Sequence, residues 1–289
     1  MQIPAKIRKI CKWAMRIFIA GGVLLFLDMF LYEPYFALHT AESEVFSKKW
    51  PKDLESVKIV VVSDFHAGRF FYDYWRMKKT VELVNREKPD IVLLLGDFFN
   101  RYSYNTVMPY EDFAKFMAAI EAPLGKFAVT GNHDTDLGVE KIAESLAGAG
   151  VKTLRNSSVK VDAPQGSFYI AGIPDFGTDI FNLEKTFRDV PEGEPCIFLT
   201  HDPSLFPALP CKAAASFAGH THGGQFRIPY YGPILKCVVS LYREFSSDGL
   251  FINHRDDPLF ITRGIGTSSI PARLFCTPQI EVIKIRHAD

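Results

Sequence analysis

The sequence lacks a cysteine framework. Its five cysteines, Cys11, Cys196, Cys211, Cys237 and Cys276, include no CxxC and no other close pair. That excludes a zinc-finger arrangement, and an odd count without tight spacing points to reduced thiols rather than disulfides. Cys196 opens the apolar run Cys-Ile-Phe-Leu and is expected to be a buried thiol. A net charge is missing as well, because 33 lysines and arginines balance 33 aspartates and glutamates. That balance gives no support to general nucleic-acid binding. Internal repeats and low-complexity tracts are absent. What is present is apolar material: 47% of the 289 residues are hydrophobic and 13% aromatic, enough for one large core and too much for disorder.

Long uncharged runs are scarce, with one exception. Residues 17–27 carry no charge, and the chain before them holds Lys6, Arg8, Lys9, Lys12 and Arg16 without an acid. From Trp13 to Tyr32 the segment has the length of a spanning helix, about 20 residues, with Arg16 and Asp28 near its ends. A single span, a cleaved signal peptide, an amphipathic surface helix and a buried core helix all compete. Length and flanking charge favour membrane association. The lack of an Ala-x-Ala site after the apolar core weakens cleavage. Orientation stays open: the leading basic residues favour an inside N-terminus, whereas Lys48, Lys49, Lys52 and the reduced cysteines favour a cytoplasmic domain. Pro34, Pro51 and the polar residues 40–49 read as a linker. They divide the chain into a membrane segment with linker, 1–50, and a main domain, 51–289.

Beyond residue 57 strand and helix patterns alternate. Residues 57–63, 91–95 and 126–130 read as buried strands, and residues 74–87, 110–121 and 139–149 have helical spacing. Six further strand-like segments follow at 158–161, 168–173, 196–200, 213–218, 259–262 and 280–285. A βαβ half followed by a strand-rich half predicts an α/β fold: two packed mixed sheets flanked by helices, an α/β/β/α sandwich with an N-terminal membrane-associated helix.

Five of the apolar runs end in residues that bind metals. They lead into Asp64-Phe65-His66, Gly96-Asp97, Gly131-Asn132-His133-Asp134, His201, and Gly219-His220-Thr221-His222. In open α/β sheets, sites form beyond the carboxyl ends of strands, so five ends can converge on one place. Carboxylate, imidazole and amide oxygen without thiolate suit manganese, iron, zinc or magnesium. Asp97 has lone pairs enough to bridge two ions. The glycines before the ligands let the backbone turn sharply and keep bulk away. Taken singly, Gly-Asp is an ordinary turn and His201 a satisfied core histidine; five such elements in this order are a site.

These motifs resemble the calcineurin-like metallophosphoesterase family over residues 57 to about 225. The resemblance implies a metal-dependent phosphoric ester or anhydride hydrolase holding two divalent ions, manganese first among them. By position, Asp64, His66, Asp97 and His222 would hold one ion, and Asp97, Asn132, His201 and His220 the second. His133 would face the scissile phosphate and act on the leaving oxygen. Many relatives carry an Asp three residues after the bridging Asp; here Asn100 stands there and receives no role.

The apolar N-terminus, the run Gly219 to Gln225 and the tail Arg263-Gly264-Ile265-Gly266-Thr267-Ser268 resemble a membrane-attached bacterial subgroup, some of it similar to UDP-2,3-diacylglucosamine pyrophosphatases of lipid A synthesis. That likeness implies a lipid-linked substrate at a bacterial inner membrane, although no motif reads the lipid or the nucleotide; the apolar segment makes the membrane the expected partner, and the balanced charge leaves no nucleic acid expected. The expected chemistry is attack by a hydroxide between the two ions on a phosphodiester or phosphoanhydride. Arg69 is a candidate phosphate contact, and the aromatic loop Phe65, Phe70, Phe71 and Tyr72 is expected mainly to pack the core. The alternatives are a broad phosphodiesterase or phosphatase on soluble or cell-wall substrates, and an anchored scaffold without turnover.

Overall fold

The computed structural model describes residues 4–68, 72–100, 108–209, 213–234, 247–253 and 255–289. Helix α1 (Ala5–Leu27) runs through a π-helical turn, Asp28–Tyr32, into α2 (Glu33–Phe36). Strands β1 (His39–Ser47), β2 (Lys58–Val62), β3 (Ile91–Leu94), β4 (Gly125–Ala128) and β5 (Val151–Thr153) follow, interleaved with α3 (Tyr72–Glu87), α4 (Tyr110–Ala118), α5 (Asn132–Leu137) and α6 (Val139–Gly148). The second half holds β6 (Ser157–Ala163), β7 (Gly166–Gly172), α7 (Leu183–Phe187), β8 (Cys196–Leu199) and β9 (Ala215–Ala218). The short β10 (Arg227–Ile228) and β11 (Gly232–Pro233) come next, then β12 (Gly249–Ile252), β13 (Pro258–Ile261) and β14 (Gln279–His287).

Two six-stranded mixed sheets result, ordered β1-β14-β2-β3-β4-β5 and β12-β13-β9-β8-β7-β6. In the first, β2, β3, β4 and β5 are parallel and β14 is antiparallel to β2. Strand β2 shows why its run is unbroken. Ile59 and Val61 enter the core between the sheets with Ile197, Leu199 and Phe217, while Val60 and Val62 meet Met77, Val84 and Phe113 under the helices. A strand covered on both faces has no polar side to alternate with. The outer face of the second sheet packs Phe198 and Ala218 against Phe187 and Phe206. This is the α/β/β/α sandwich, and Cys196 is buried in it as a free thiol.

Residues 40–49 are not a linker. Nine residues pair in parallel with β14 along the edge of the first sheet, from His39 opposite Gln279 to Ser47 opposite His287. Only Val45 and Ser47 of the strand are buried. An edge strand that buries so little of itself has the composition of a linker, and its partner lies about 240 residues away.

Candidate metal centre

Register brings the predicted residues together. Val62, Leu94 and Ala128 lie side by side at the ends of β2, β3 and β4, so Asp64, Asp97 and Asn132 leave the first sheet at one level. Leu199 pairs with Phe217 in the second sheet, which sets His201 beside Gly219 and His220; the Gly219 N–H donates to the His201 carbonyl at 2.9 Å. Backbone geometry marks the same place. Among the described residues eleven non-glycines have positive φ, and five of them are Asp64 (54°), His66 (44°), Asp97 (53°), His220 (69°) and His222 (52°). A side chain in this region costs about 1–3 kcal/mol, so the surrounding packing must impose it.

The side chains form three overlapping groups: Asp64, His66 and His222; His66, Asp97 and His133; and Asp97, His201 and His220. Within each, the donor atoms lie within 4.8 Å of one another. His66 Nε2 lies 3.0 Å from His222 Nε2 and 3.4 Å from Asp97 Oδ2. Asp97 Oδ2 is also 3.3 Å from His201 Nε2, which stands 3.2 Å from His220 Nδ1. His222 Nε2 is 3.5 Å from Asp64 Oδ1. His201 Nδ1 donates to the Leu95 carbonyl at 2.6 Å, which turns Nε2 toward the centre.

This donor set fits metal ions. Asn132 Oδ1 is buried without a hydrogen-bond partner, an acceptor that needs a cation or donor in front of it. Burial pushes His66 and His222 well below the usual imidazole range, which keeps both neutral as ligation requires. Burial alone would raise Asp97, yet His201, His66 and His133 hold it well below the usual carboxylate range. His201 is opposed by burial and pulled well above its ordinary value by Asp97. Burial raises Asp64, with Asp97 adding to the effect.

The frame behind these groups is tightly specified. Asp134 Oδ2 accepts the N–H groups of Asp97 and Gly131, both at 2.8 Å, and Oδ1 accepts that of Phe98 at 2.9 Å. One carboxylate thus clips the second motif to the third, even though burial beside Asp97 pushes it up to about 7. A Cβ at Gly131 would overlap the Asp97 carboxylate, and one at Gly219 the Ser63 hydroxyl, so both glycines are required by close approach. Phe65 packs the core against Phe98 and Phe113, and the Tyr72 ring meets that of Tyr35 of α2 at a tilt, with centroids 5.3 Å apart. Arg69, Phe70 and Phe71 lie outside the described residues, and so do Cys211 and Cys237.

Sequence reasoning missed the support supplied by the tail. The N–H groups of Ile265 and Gly266 donate to the carbonyls of Ser63 (3.0 Å) and Asp64 (2.7 Å). Arg273, fully buried, holds that loop by donating to the carbonyls of Arg263 (2.9 Å), Gly264 (3.3 Å), Gly266 and Cys276. Only the glycines and arginine of the tail signalled it, and nothing in their spacing named the carbonyls they would meet.

Comparison with known proteins agrees with the geometry. The family model described as calcineurin-like phosphoesterase matches residues 57–224. The metallophosphoesterase YkuE of Bacillus subtilis is 27% identical over 277 residues, covering 94% of each chain. The phosphodiesterase YaeI of Escherichia coli is 26% identical, over 79% of this chain and 82% of its own. A transmembrane protein with a metallophosphoesterase domain from Danio rerio is 28% identical, over 85% of this chain and 56% of its own. With more than half its length inside that family model and the donor groups assembled, the chain belongs to the calcineurin-like phosphoesterases and is a metal-dependent phosphoester hydrolase.

Proposed function

We propose that the protein is a membrane-attached phosphodiesterase that uses two divalent ions, manganese first among them. The observation that carries this reading is Asp97, whose Oδ2 lies between the imidazoles of His66 and His201 and joins two donor groups. In this reading Asp64, His66, Asp97 and His222 hold one ion; Asp97, Asn132, His201 and His220 hold the other. When bound, the ions supply a nucleophile at neutral pH and positive charge against the phosphoryl oxygens.

The chain's own residues do the rest. The His133 N–H donates to Asp97 Oδ1 at 2.9 Å, which fixes the residue at the start of α5. Its ring meets that of His66 edge-on with centroids 4.5 Å apart. His133 gives its proton to the departing oxygen as the ester bond breaks, and regains one from solvent. Its donor atom falls in a group with His66 and Asp97.

Membrane attachment is supported by α1 and by the name of the Danio rerio relative. From Ala5 to Phe36 the helix is long and apolar enough to cross a bilayer, and no residue of α1 is buried, so α1 is not a core helix. The likeness to UDP-2,3-diacylglucosamine pyrophosphatases finds no support in these relatives, and the proposed substrate is a phosphodiester. The test is elemental analysis after manganese reconstitution, paired with turnover of phosphodiesters and UDP-sugars. Two ions per chain and diester turnover are expected; at most one ion with full activity would sink the two-ion reading.

A further inference from the structure

Among the described residues, an uncharged apolar surface lies beside the exit of α1, and the metal centre makes no use of it. The β10–β11 hairpin carries Ile228, Tyr230, Tyr231 and Ile234 exposed, with Tyr230 fully so and Tyr231 at 65%. Residues 228–234 contain no charge. Beside the hairpin, Ile270 and Phe275 are each about half exposed. The one charge of residues 268–276, Arg273, is fully buried. Ordinary solvated loops are not depleted of charge in this way.

Four consecutive residues lock this surface to the helix. The Arg273 N–H donates to the Met29 carbonyl at 2.9 Å, in the turn that follows α1. Leu274 forms a bridge with Phe226 and accepts the N–H of Arg227 at 2.9 Å, which seats the base of the hairpin. The Glu33 carboxylate of α2 accepts the N–H groups of Phe275 (2.8 Å) and Cys276. Helix exit and hairpin base are therefore held through one rigid segment.

We propose that the β10–β11 hairpin is a second membrane contact, with Tyr230 and Tyr231 seated at the lipid–water interface of the bilayer that α1 enters. This rests on the reading of α1 as a membrane helix. Tyrosine fits that layer because its ring is apolar and its hydroxyl wet. The occupant is lipid because the patch is continuous with the foot of an apolar helix that the protein leaves uncovered. The hairpin begins five residues after His222, and Arg227 Nη1 donates to the Gly223 carbonyl at 2.9 Å. The loop bearing a metal-centre histidine is thereby tied to the membrane surface, and the substrate class becomes phosphodiesters in the headgroup layer.

Tryptophan quenching tests this on the full chain in vesicles of phosphatidylcholine, ordinary or brominated near the headgroup end of its acyl chains. Tyr230→Trp places an indole at the tip, Tyr231→Trp is a second probe should the first misfold, and Trp13→Phe isolates the signal of α1. The emission added by the tip indole should lose most of its intensity in brominated lipid, as should that of Trp13. Quenching of Trp13 with an unquenched tip overturns the proposal and leaves the helix in the membrane. If neither is quenched, the anchor reading itself fails. A tip indole shielded equally in both lipids means that a second protein copy covers the hairpin, which also overturns the proposal.

Discussion

Strand β2 and helix α1 draw on the same apolar side chains and are solvated in opposite ways. Every valine and isoleucine of β2 is buried, whereas α1 buries none of its residues. The strand has hydrogen-bonded neighbours on both edges and a packed layer on both faces. The helix is apolar from Ile17 to Leu27 and buries nothing against the described residues, so a helix long and apolar enough to cross a bilayer is left uncovered. Composition alone cannot separate the two; the partners each element finds can.

Four substitutions and one deletion sharpen that contrast, and the largest effect is expected in the buried region. Asp97→Ala removes the oxygen shared by two donor groups, so metal content should fall and phosphodiester turnover drop to background. An unchanged metal content would show that Asp97 is not the shared ligand. His133→Ala should lower turnover by roughly 10²–10⁴-fold, the range for a positioned acid–base group, with metal content near wild type. Loss of an ion in that variant would make His133 a ligand instead.

Arg273→Ala leaves several buried carbonyls without a donor, so stability should fall by about 3 kcal/mol or more, read as a lower denaturant midpoint. A shift below about 0.5 kcal/mol, as for an ordinary surface site, would show that the tail loop is held by other means.

Helix α1 should break separately from this core. Deleting residues 1–27 spares Met29, Glu33 and β1, so the protein should leave the membrane fraction while hydrolysis of a small soluble phosphodiester is unchanged. A deletion that kills soluble turnover would make α1 part of the catalytic fold.

At Glu281 the expected effect is confined to how stability changes with pH. It is buried beside Thr262 and Gln279, with Asp248 and Arg263 nearby, and burial pushes its carboxyl from 4.5 up to about 7. Because the folded state holds this proton more tightly, the stabilisation is complete below pH 4.5 and lost as pH rises through about 7. That interval corresponds to roughly 3 kcal/mol at about 1.36 kcal/mol per unit. Glu281→Gln should flatten the decline of stability across that window, measured by denaturant titration at several pH values. An unchanged slope would place the pH dependence elsewhere.

The strand ends and what they carry were legible in the residues themselves. Short apolar runs followed by Asp64, Asp97, Asn132, His201 and His220 are local patterns, and a strand buried on both faces is legible because it has no polar side. Helix α1 was legible for the same reason, as an apolar run with basic flanks. Tertiary structure alone decided the rest. It made residues 39–47 a strand, because their partner β14 is about 240 residues away and they bury little of themselves. It joined Glu33 to Cys276 and Arg273 to the loop behind Asp64, through backbone carbonyls and N–H groups that nearly all residues share and no sequence pattern distinguishes. It also set five residues of the candidate metal centre into left-handed backbone, where the ends of the strands converge.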